Sequence, residues 1–355
     1  MYPKVTAHMG KLAHNLNYLC DLCHSKGLSV AVVTKVFCAD ENIVRMIQKS
    51  DADYLADSRI PNLVRCAGGK PRILLRISSP SAVEHVIENS EISLQSEPYT
   101  IKKLADAAKQ AGKKHKTVLM IDLGDLREGI YFEEEKLIYD ACETVLASEN
   151  LELYGIGTNL TCYGGILPDK RNLGNLVAIS KLIRQKYGVE LPFVSGGNSS
   201  TLEFLKSGGV PEGITNLRLG ESFVLGNDTA VCKVMDGMYG DAVTLDAELI
   251  EIKNKPSKPV GTSGRNAFGE EVHFEDKGDM LRGILAIGRQ DVDEGGIHCT
   301  ENNIQVIGAS SDHLLVDLKG NKGYNIGDVL TFTMEYGAVL KAFTSSYVDR
   351  EYTNN

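Results

Sequence analysis

The sequence predicts an α/β protein, a (β/α)8 TIM-like barrel followed by a mainly β C-terminal domain, and three observations carry this. From residue 28 onward, short apolar runs alternate with amphipathic segments at a steady spacing, making eight strand–helix units over roughly 200 residues. Chemically active side chains fall repeatedly where those apolar runs stop. After about Gly226 the texture changes to apolar runs separated by Gly, Asn, Asp and Pro, with little helical periodicity. No GxGxxG follows the first run, which counts against a dinucleotide-binding open sheet. The expected domains are 1–226, with about the first ten residues candidates to join the other domain, and 227–355.

The first run, Leu28-Ser29-Val30-Ala31-Val32-Val33-Thr34-Lys35, reads as a strand buried on both faces that delivers one lysine at its C-terminal end. The strands expected next are 53–56, 73–77, 91–95, 117–122, 153–158, 192–195 and 216–219. Helical stretches include 42–48, 82–88, 100–109, 133–147, 172–186 and 200–206, and an earlier amphipathic helix carries Leu12, Leu16, Leu19 and Cys23. Turns punctuate the joins at Gly68-Gly69-Lys70-Pro71 and Ser207-Gly208-Gly209. In the second domain, strands are expected at 231–235, 242–252, 280–287, 304–307, 314–318 and 329–334. The tail 350–355 is expected to fray at its end.

Composition narrows the function classes. The 355 residues are 43% hydrophobic and 24% charged, ordinary for a globular protein. A net charge of -9 without a basic block argues against a nucleic-acid partner and faintly favours a cationic small molecule. No stretch reads as a signal peptide or a membrane span, so a cytoplasmic location and reduced thiols are expected for the 8 cysteines. The pair Cys20 and Cys23 sits on a helix face and finds no second pair, so no metal site is expected.

Four sets of residues fall at expected strand ends, where a parallel barrel keeps its site. Lys35 follows the first strand, and burial can lower a lysine's pKa and suit it to imine chemistry; alternatively it leaves the core for water. Asp122-Leu123-Gly124-Asp125-Leu126-Arg127-Glu128-Gly129 follows the fifth, with Arg127 free for a ligand or paired to Asp122 or Asp125. Ser195-Gly196-Gly197-Asn198-Ser199-Ser200 follows the seventh and offers amides and hydroxyls for a phosphate, or an ordinary helix cap. Arg218-Leu219-Gly220-Glu221 closes the eighth, unless Arg218 is a surface arginine.

On these residues the chain resembles the alanine racemase family, and its members that act on ornithine are the nearest match. The resemblance implies pyridoxal 5'-phosphate as cofactor, with Lys35 as the imine-forming lysine. Arg127 matches an arginine that orients the substrate, and Asn159 stands where the family has a histidine packed on the cofactor ring. Asn198 and Ser199 match a phosphate-binding motif. In the next motif, Arg218 faces the pyridine nitrogen and the amides of Gly220 and Glu221 hold phosphate. Tyr347, in Thr344-Ser345-Ser346-Tyr347, matches a tyrosine that reaches the phosphate. The implied function is a racemase that interconverts L- and D-amino acids, with ornithine first, by taking and returning the α-proton. The implied assembly is a head-to-tail homodimer with shared active sites.

Two departures bear on that expectation. Alanine racemases use a tyrosine on the second face, and Arg289 occupies its position in Ile287-Gly288-Arg289-Gln290-Asp291. Arginine is a poor base. Asp291, His298 and Cys299 can titrate nearby, and Asp291 is taken as the catalytic candidate, with Asp293 and Glu294 beside it as partners for a cationic side chain. Phe37-Cys38-Ala39 replaces a phosphate-binding tyrosine after the lysine. Three other readings stay open: a metal-assisted D-amino-acid aldolase or dehydratase, suggested by His298-Cys299, a non-enzymatic pyridoxal-phosphate protein, and a barrel unrelated to this cofactor.

Overall fold

The computed structural model describes residues 1–301 and 303–354. The chain divides into two compact units, one of Ala13–Tyr239 and one of Met1–Leu12 with Gly240–Asn355. It opens with β1 (Lys4–His8) and α1 (Met9–His24).

The 13–239 unit is built from β2 (Ser29–Val33), α2 (Glu41–Gln48), β3 (Tyr54–Asp57), α3 (Ile60–Arg65), β4 (Arg72–Leu74), α4 (Val83–Asn89) and β5 (Ile92–Gln95). It continues through α5 (Pro98–Gln110), β6 (His115–Asp122), β7 (Ile130–Tyr131), α6 (Glu135–Leu146), β8 (Leu151–Gly157) and α7 (Lys170–Tyr187). It ends with β9 (Phe193–Ser195), α8 (Leu202–Lys206), β10 (Asn216–Leu219), α9 (Glu221–Leu225), β11 (Asn227–Asp228) and β12 (Lys233–Val234). The strands β2-β3-β4-β5-β6-β8-β9-β10 pair in parallel, and β10 pairs back onto β2, so the barrel closes. The short β7 lies beside β6.

Inside, the strands present a packed filling. Ala31 and Val33, two apart on β2, meet Ala56, Ile73, Ile92, Leu94, Val118, Met120 and Phe193. Each large aliphatic or aromatic side chain in such a layer contributes about 1.5–3 kcal/mol by leaving water. Tyr54 meets Phe193 edge-on with ring centres 5.7 Å apart. Close approach sets one residue outright: a Cβ on Gly155 would lie 1.8 Å from the Phe193 carbonyl oxygen.

The second unit is an antiparallel sheet around the long β13 (Val243–Pro256), with β14 (Asp279–Leu285), β15 (Ile297–Cys299), β16 (Gln305–Ala309), β17 (Leu314–Asp317) and β18 (Val329–Met334) in the order β15-β18-β13-β14-β17-β16. Residues alternate buried and half-buried along β18, as a sheet with one covered face requires. α10 (Tyr336–Thr344) and β19 (Asp349–Thr353) complete it.

Several expectations change. Residues 231–235 give only the two-residue β12, because Val231 and Val234 are exposed and Cys232 takes a left-handed φ of 53°. That hairpin belongs with the barrel unit: Met235 N donates to Gly226 O at 2.8 Å, and Tyr239 N to Asn15 Oδ1 at 2.8 Å. The strand expected at 73–77 stops at Leu74. Residues 350–353, expected in a fraying tail, lie in β19, which pairs in parallel with β1; Asn355 is outside the described residues. The helices α3 and α10 and the strands β1 and β15 carry too few periods to stand out in the sequence. No helix among the described residues is long and apolar enough to cross a membrane.

Candidate active site

Lys35 leaves the barrel from a fixed base. After β2, Thr34 turns into the αR region and starts a single 3-10 turn, Lys35–Phe37. Thr34 Oγ1 donates to Asp57 Oδ2 at 2.6 Å, and Thr34 N to Ala56 O at 2.9 Å. Val36 and Phe37 are buried, whereas Lys35 is half-buried and has no ion-pair partner among the described residues. Cys38 and Ala39 then both hold left-handed φ values of 52° and 48°, a costly pair for non-glycine residues. They reverse the chain into α2, which the Asp40 carboxylate caps. Asp57 itself is fully buried. Burial pushes its pKa up, against hydrogen bonds from Thr34, the Arg59 amide and Asn62 that favour the carboxylate.

Arg127 lies in the loop after β6. Its two expected partners are occupied: Asp122 Oδ1 accepts from Gly124 N at 2.9 Å and Leu126 N at 3.1 Å, and Asp125 accepts four amides of the loop after β8. The guanidinium pairs with Glu128 instead of Asp122 or Asp125. Burial opposes its charge, but Glu128 outweighs that and its pKa lies above the ordinary arginine value. The Asn159 amide sits between two donors. With its oxygen toward Asn198 it accepts from Nδ2 at 3.1 Å, and turned the other way it accepts from Arg127 Nη1 at 3.2 Å and also from Nη2. Asn198 Nδ2 also reaches Leu160 O at 2.8 Å and Cys162 Sγ at 3.3 Å.

The ends of β9 and β10 bring the next residues together. Ser199 Oγ accepts from Ser222 N at 3.3 Å, in the first turn of α9, and the neighbouring Ser200 Oγ is buried without a partner among the described residues. Gly220 presses on β2: a Cβ there would lie 2.9 Å from Val33 Cβ, so the turn carrying Gly220 and Glu221 abuts the strand that bears Lys35. Glu221 accepts from Asn227 Nδ2 at 3.0 Å. Arg218 is no surface arginine. It is 4% exposed, donates to Ser195 Oγ and, at 2.6 Å, to Thr158 O, and has no carboxylate partner among the described residues. Burial lowers its pKa to about 10, which leaves it a cation at neutral pH. Thr158 Oγ1, beside it, is also buried and unpartnered.

The remaining candidates lie in the second unit. Asp291 is buried and accepts from Ser345 Oγ at 2.7 Å; the same Ser345 Oγ accepts from Tyr347 N at 3.1 Å, while the Tyr347 side chain is exposed. Arg289 pairs with Glu294 and Glu270 and stacks on Phe268, 4.3 Å from the ring centre. His298 Nε2 lies 3.0 Å from Glu335, and Cys299 is its immediate neighbour on β15, where successive side chains point to opposite faces. No group of three His, Cys, Asp or Glu gathers for a metal among the described residues. The residue missed from sequence is Asp57, at the end of β3; Asp125, expected as a partner for Arg127, instead holds the loop after β8.

The profile of the alanine racemase N-terminal domain matches residues 7–227. The ornithine racemase of Acetoanaerobium sticklandii is 45% identical over 353 residues, covering 99% of each chain. The lysine racemase of Thermotoga maritima is 34% identical over 355 residues, again covering 99% of each. Alanine racemase of Bartonella henselae, solved with covalently bound pyridoxal phosphate, superposes with a TM-score of 0.74 at 17% identity over 99% of each chain. The barrel, its strand-end residues and these likenesses agree: the chain belongs to the alanine racemase family.

Proposed function

We propose that this protein is a pyridoxal-phosphate-dependent amino-acid racemase acting on ornithine. The observation that carries the reading is one constellation: the half-buried Lys35 just after β2, with β10 alongside β2 carrying Arg218, buried with no carboxylate partner among the described residues. The 45% identity to an ornithine racemase along the whole chain supports the choice of substrate.

The residues fit a phosphorylated pyridine aldehyde. Lys35 supplies the amine that joins it, and Asn198, Ser199 and the amides of Gly220 and Glu221, with Tyr347, supply donors for the phosphate. Among the described residues the Ser200 hydroxyl, next to Ser199 in sequence, and the Thr158 hydroxyl, next to Asn159, are buried without partners. Such atoms cost about 1–3 kcal/mol each when left unmade, so a polar occupant is favoured there. When bound, the cofactor supplies an electron-withdrawing ring that acidifies the α C–H of the amino acid joined to it. Lys35 Nζ, once released, takes or returns that proton on one face. Arg127 and Asn159 orient the substrate carboxylate. Arg218 remains a hydrogen-bond donor and does not surrender a proton at neutral pH, which favours racemisation over transamination. The opposite face needs its own acid or base, and Asp291 is assigned to it. Asp293 and Glu294 are assigned to the cationic side chain. The reading includes a cytoplasmic homodimer with shared active sites, checked by light scattering in solution.

The experiment is α-proton exchange and chirality read together. Protein loaded with pyridoxal phosphate is incubated in heavy water with L-ornithine, L-lysine, L-arginine, L-alanine and L-serine. Deuterated D-ornithine, with little product from the others, is the expected result. No exchange with any amino acid would overturn the reading.

A further inference from the structure

We infer that Asp125 is a positioning residue that locks the loop after β8 against the loop after β6, and so fixes the geometry of Arg127 and Asn159. The inference rests on the proposed substrate site. Asp125 is fully buried, and its carboxylate takes four backbone amides of one short segment. Oδ1 accepts from Thr161 N at 3.0 Å, Gly164 N at 3.1 Å and Ile166 N at 3.2 Å, and Oδ2 accepts from Tyr163 N at 3.0 Å.

A segment with so many amides turned to one anion cannot be a regular element, since its donors are taken from helix and sheet alike. Its backbone shows this: Thr161 holds φ 69° and Gly165 φ 69°. Charged acceptors make roughly twice the hydrogen-bond strength of neutral ones, so one buried carboxylate can hold this shape. Gly164 completes the fit, because a Cβ there would lie 2.7 Å from the Asp125 carbonyl oxygen. The two loops therefore meet backbone to backbone.

Position in sequence gives the clamp its purpose. Asp125 stands two residues before Arg127, and the clamped segment begins two residues after Asn159. On the far side, Asn198 Nδ2 ties Leu160 O and Cys162 Sγ. The chain from Asn159 to Ile166 is thus pinned at both ends of the place where the Arg127 guanidinium meets the Asn159 amide. Orientation of a bound carboxylate by that pair is only as good as the relative placement of the two loops. An error of an ångström in such positioning costs a factor of about 100.

The test compares Asp125→Ala and Asp125→Asn with the wild type, each loaded with pyridoxal phosphate. In Asp125→Ala, kcat/KM for L-ornithine falls by about 100-fold, chiefly through KM, because ground-state orientation is lost. The visible absorption of lysine-linked pyridoxal phosphate persists, because the anchoring Lys35 follows β2 and lies outside both clamped loops. Amide hydrogen exchange at 161–166 speeds up while that of β6 does not. Asp125→Asn keeps an oxygen for three amides and loses the fourth, so it recovers most of the KM. Faster exchange at 161–166 with wild-type KM would overturn the positioning role, and unchanged exchange would overturn the clamp. Because exchange is read without substrate, a wild type that racemises nothing sinks the proposed function and leaves the clamp judged separately.

Discussion

The two units use their polar groups in opposite ways. In the barrel, candidate groups arrive one by one at the ends of parallel strands: Lys35 after β2, Arg127 after β6, Asn198 and Ser199 after β9, and Arg218 on β10. Buried aspartates hold the turns that bear them, and several hydroxyls are left unpartnered. In the antiparallel unit the candidates are committed to one another. Asp291 holds Ser345, Arg289 holds Glu270 and Glu294, and His298 holds Glu335. Among the described residues the barrel leaves several buried polar side chains unpartnered, and the second unit pairs its own with one another. The comparison teaches that strand-end position, more than residue type, marks the barrel's candidate groups.

The comparison breaks first at Lys35. In Lys35→Ala, production of D-ornithine falls by at least about 10,000-fold, as expected for a group that serves as covalent anchor and as acid–base. The visible absorption of lysine-linked pyridoxal phosphate is lost with it. Activity within tenfold of wild type would remove the lysine from the chemistry. Next comes Asp291, the group in the second unit to which the opposite face is assigned. In Asp291→Asn, inversion falls by about 100-fold or more, while deuterium still enters L-ornithine with retained configuration. If inversion and exchange fall together and only slightly, Asp291 serves to hold Ser345 and Tyr347.

How much of this the sequence disclosed follows the same division. The eight barrel strands, Lys35 and the Arg218 motif were legible because buried parallel strands are continuous apolar runs, and their ends stand out. Asp57 and the clamping role of Asp125 were not, because an aspartate looks like any other until partners distant in the chain, Thr34 for the one and the 161–166 amides for the other, come into place. In the second unit the interior strands β13, β14 and β18 were legible as apolar runs between Gly, Asn, Asp and Pro, without helical periodicity. The short β1 and β15 and the edge pairing of β19 on β1 were not, since a strand of three to five residues draws its stability from its neighbour rather than from its own pattern. Residues 231–235 misled in the other direction, having apolar composition without a buried face.

One buried group of the barrel, His115, makes that unit sensitive to acid. His115 on β6 is buried, bonded to Ser93 Oγ at 2.8 Å, and burial pushes its pKa down to about 4. Unfolded, the imidazole titrates near 6.5, so the folded state binds this proton later. The stability it contributes is complete above that value and is lost as pH falls toward the folded pKa, amounting to about 3 kcal/mol. Urea unfolding at neutral pH and near pH 4 reads this loss, and His115→Gln flattens it. Amide exchange at β6 should follow the same dependence, while exchange at β13 and β18 lags. An equal response in both units would erase this part of the contrast.

The smallest effect is expected where the resemblance made the largest claim. Arg289 stands at the position of the family's second-face tyrosine, and the structure shows what it does instead. Its guanidinium is bonded to Glu270 and Glu294 and stacked on Phe268, and the Glu270 bond leads in raising its pKa above the ordinary arginine value. A group held more firmly protonated than a free arginine cannot accept the α-proton, so its side chain is dispensable for inversion. The Arg289–Glu270 pair is exposed and contributes little, and Arg289→Met is expected to change racemisation of ornithine by less than about threefold. The variant should loosen residues 265–271, read as faster amide exchange there, because their bonds to Arg289 are the ones cut. A large loss of inversion with isotope exchange intact would reverse the assignment, returning the second face to position 289 and reducing Asp291 to a scaffold for Ser345.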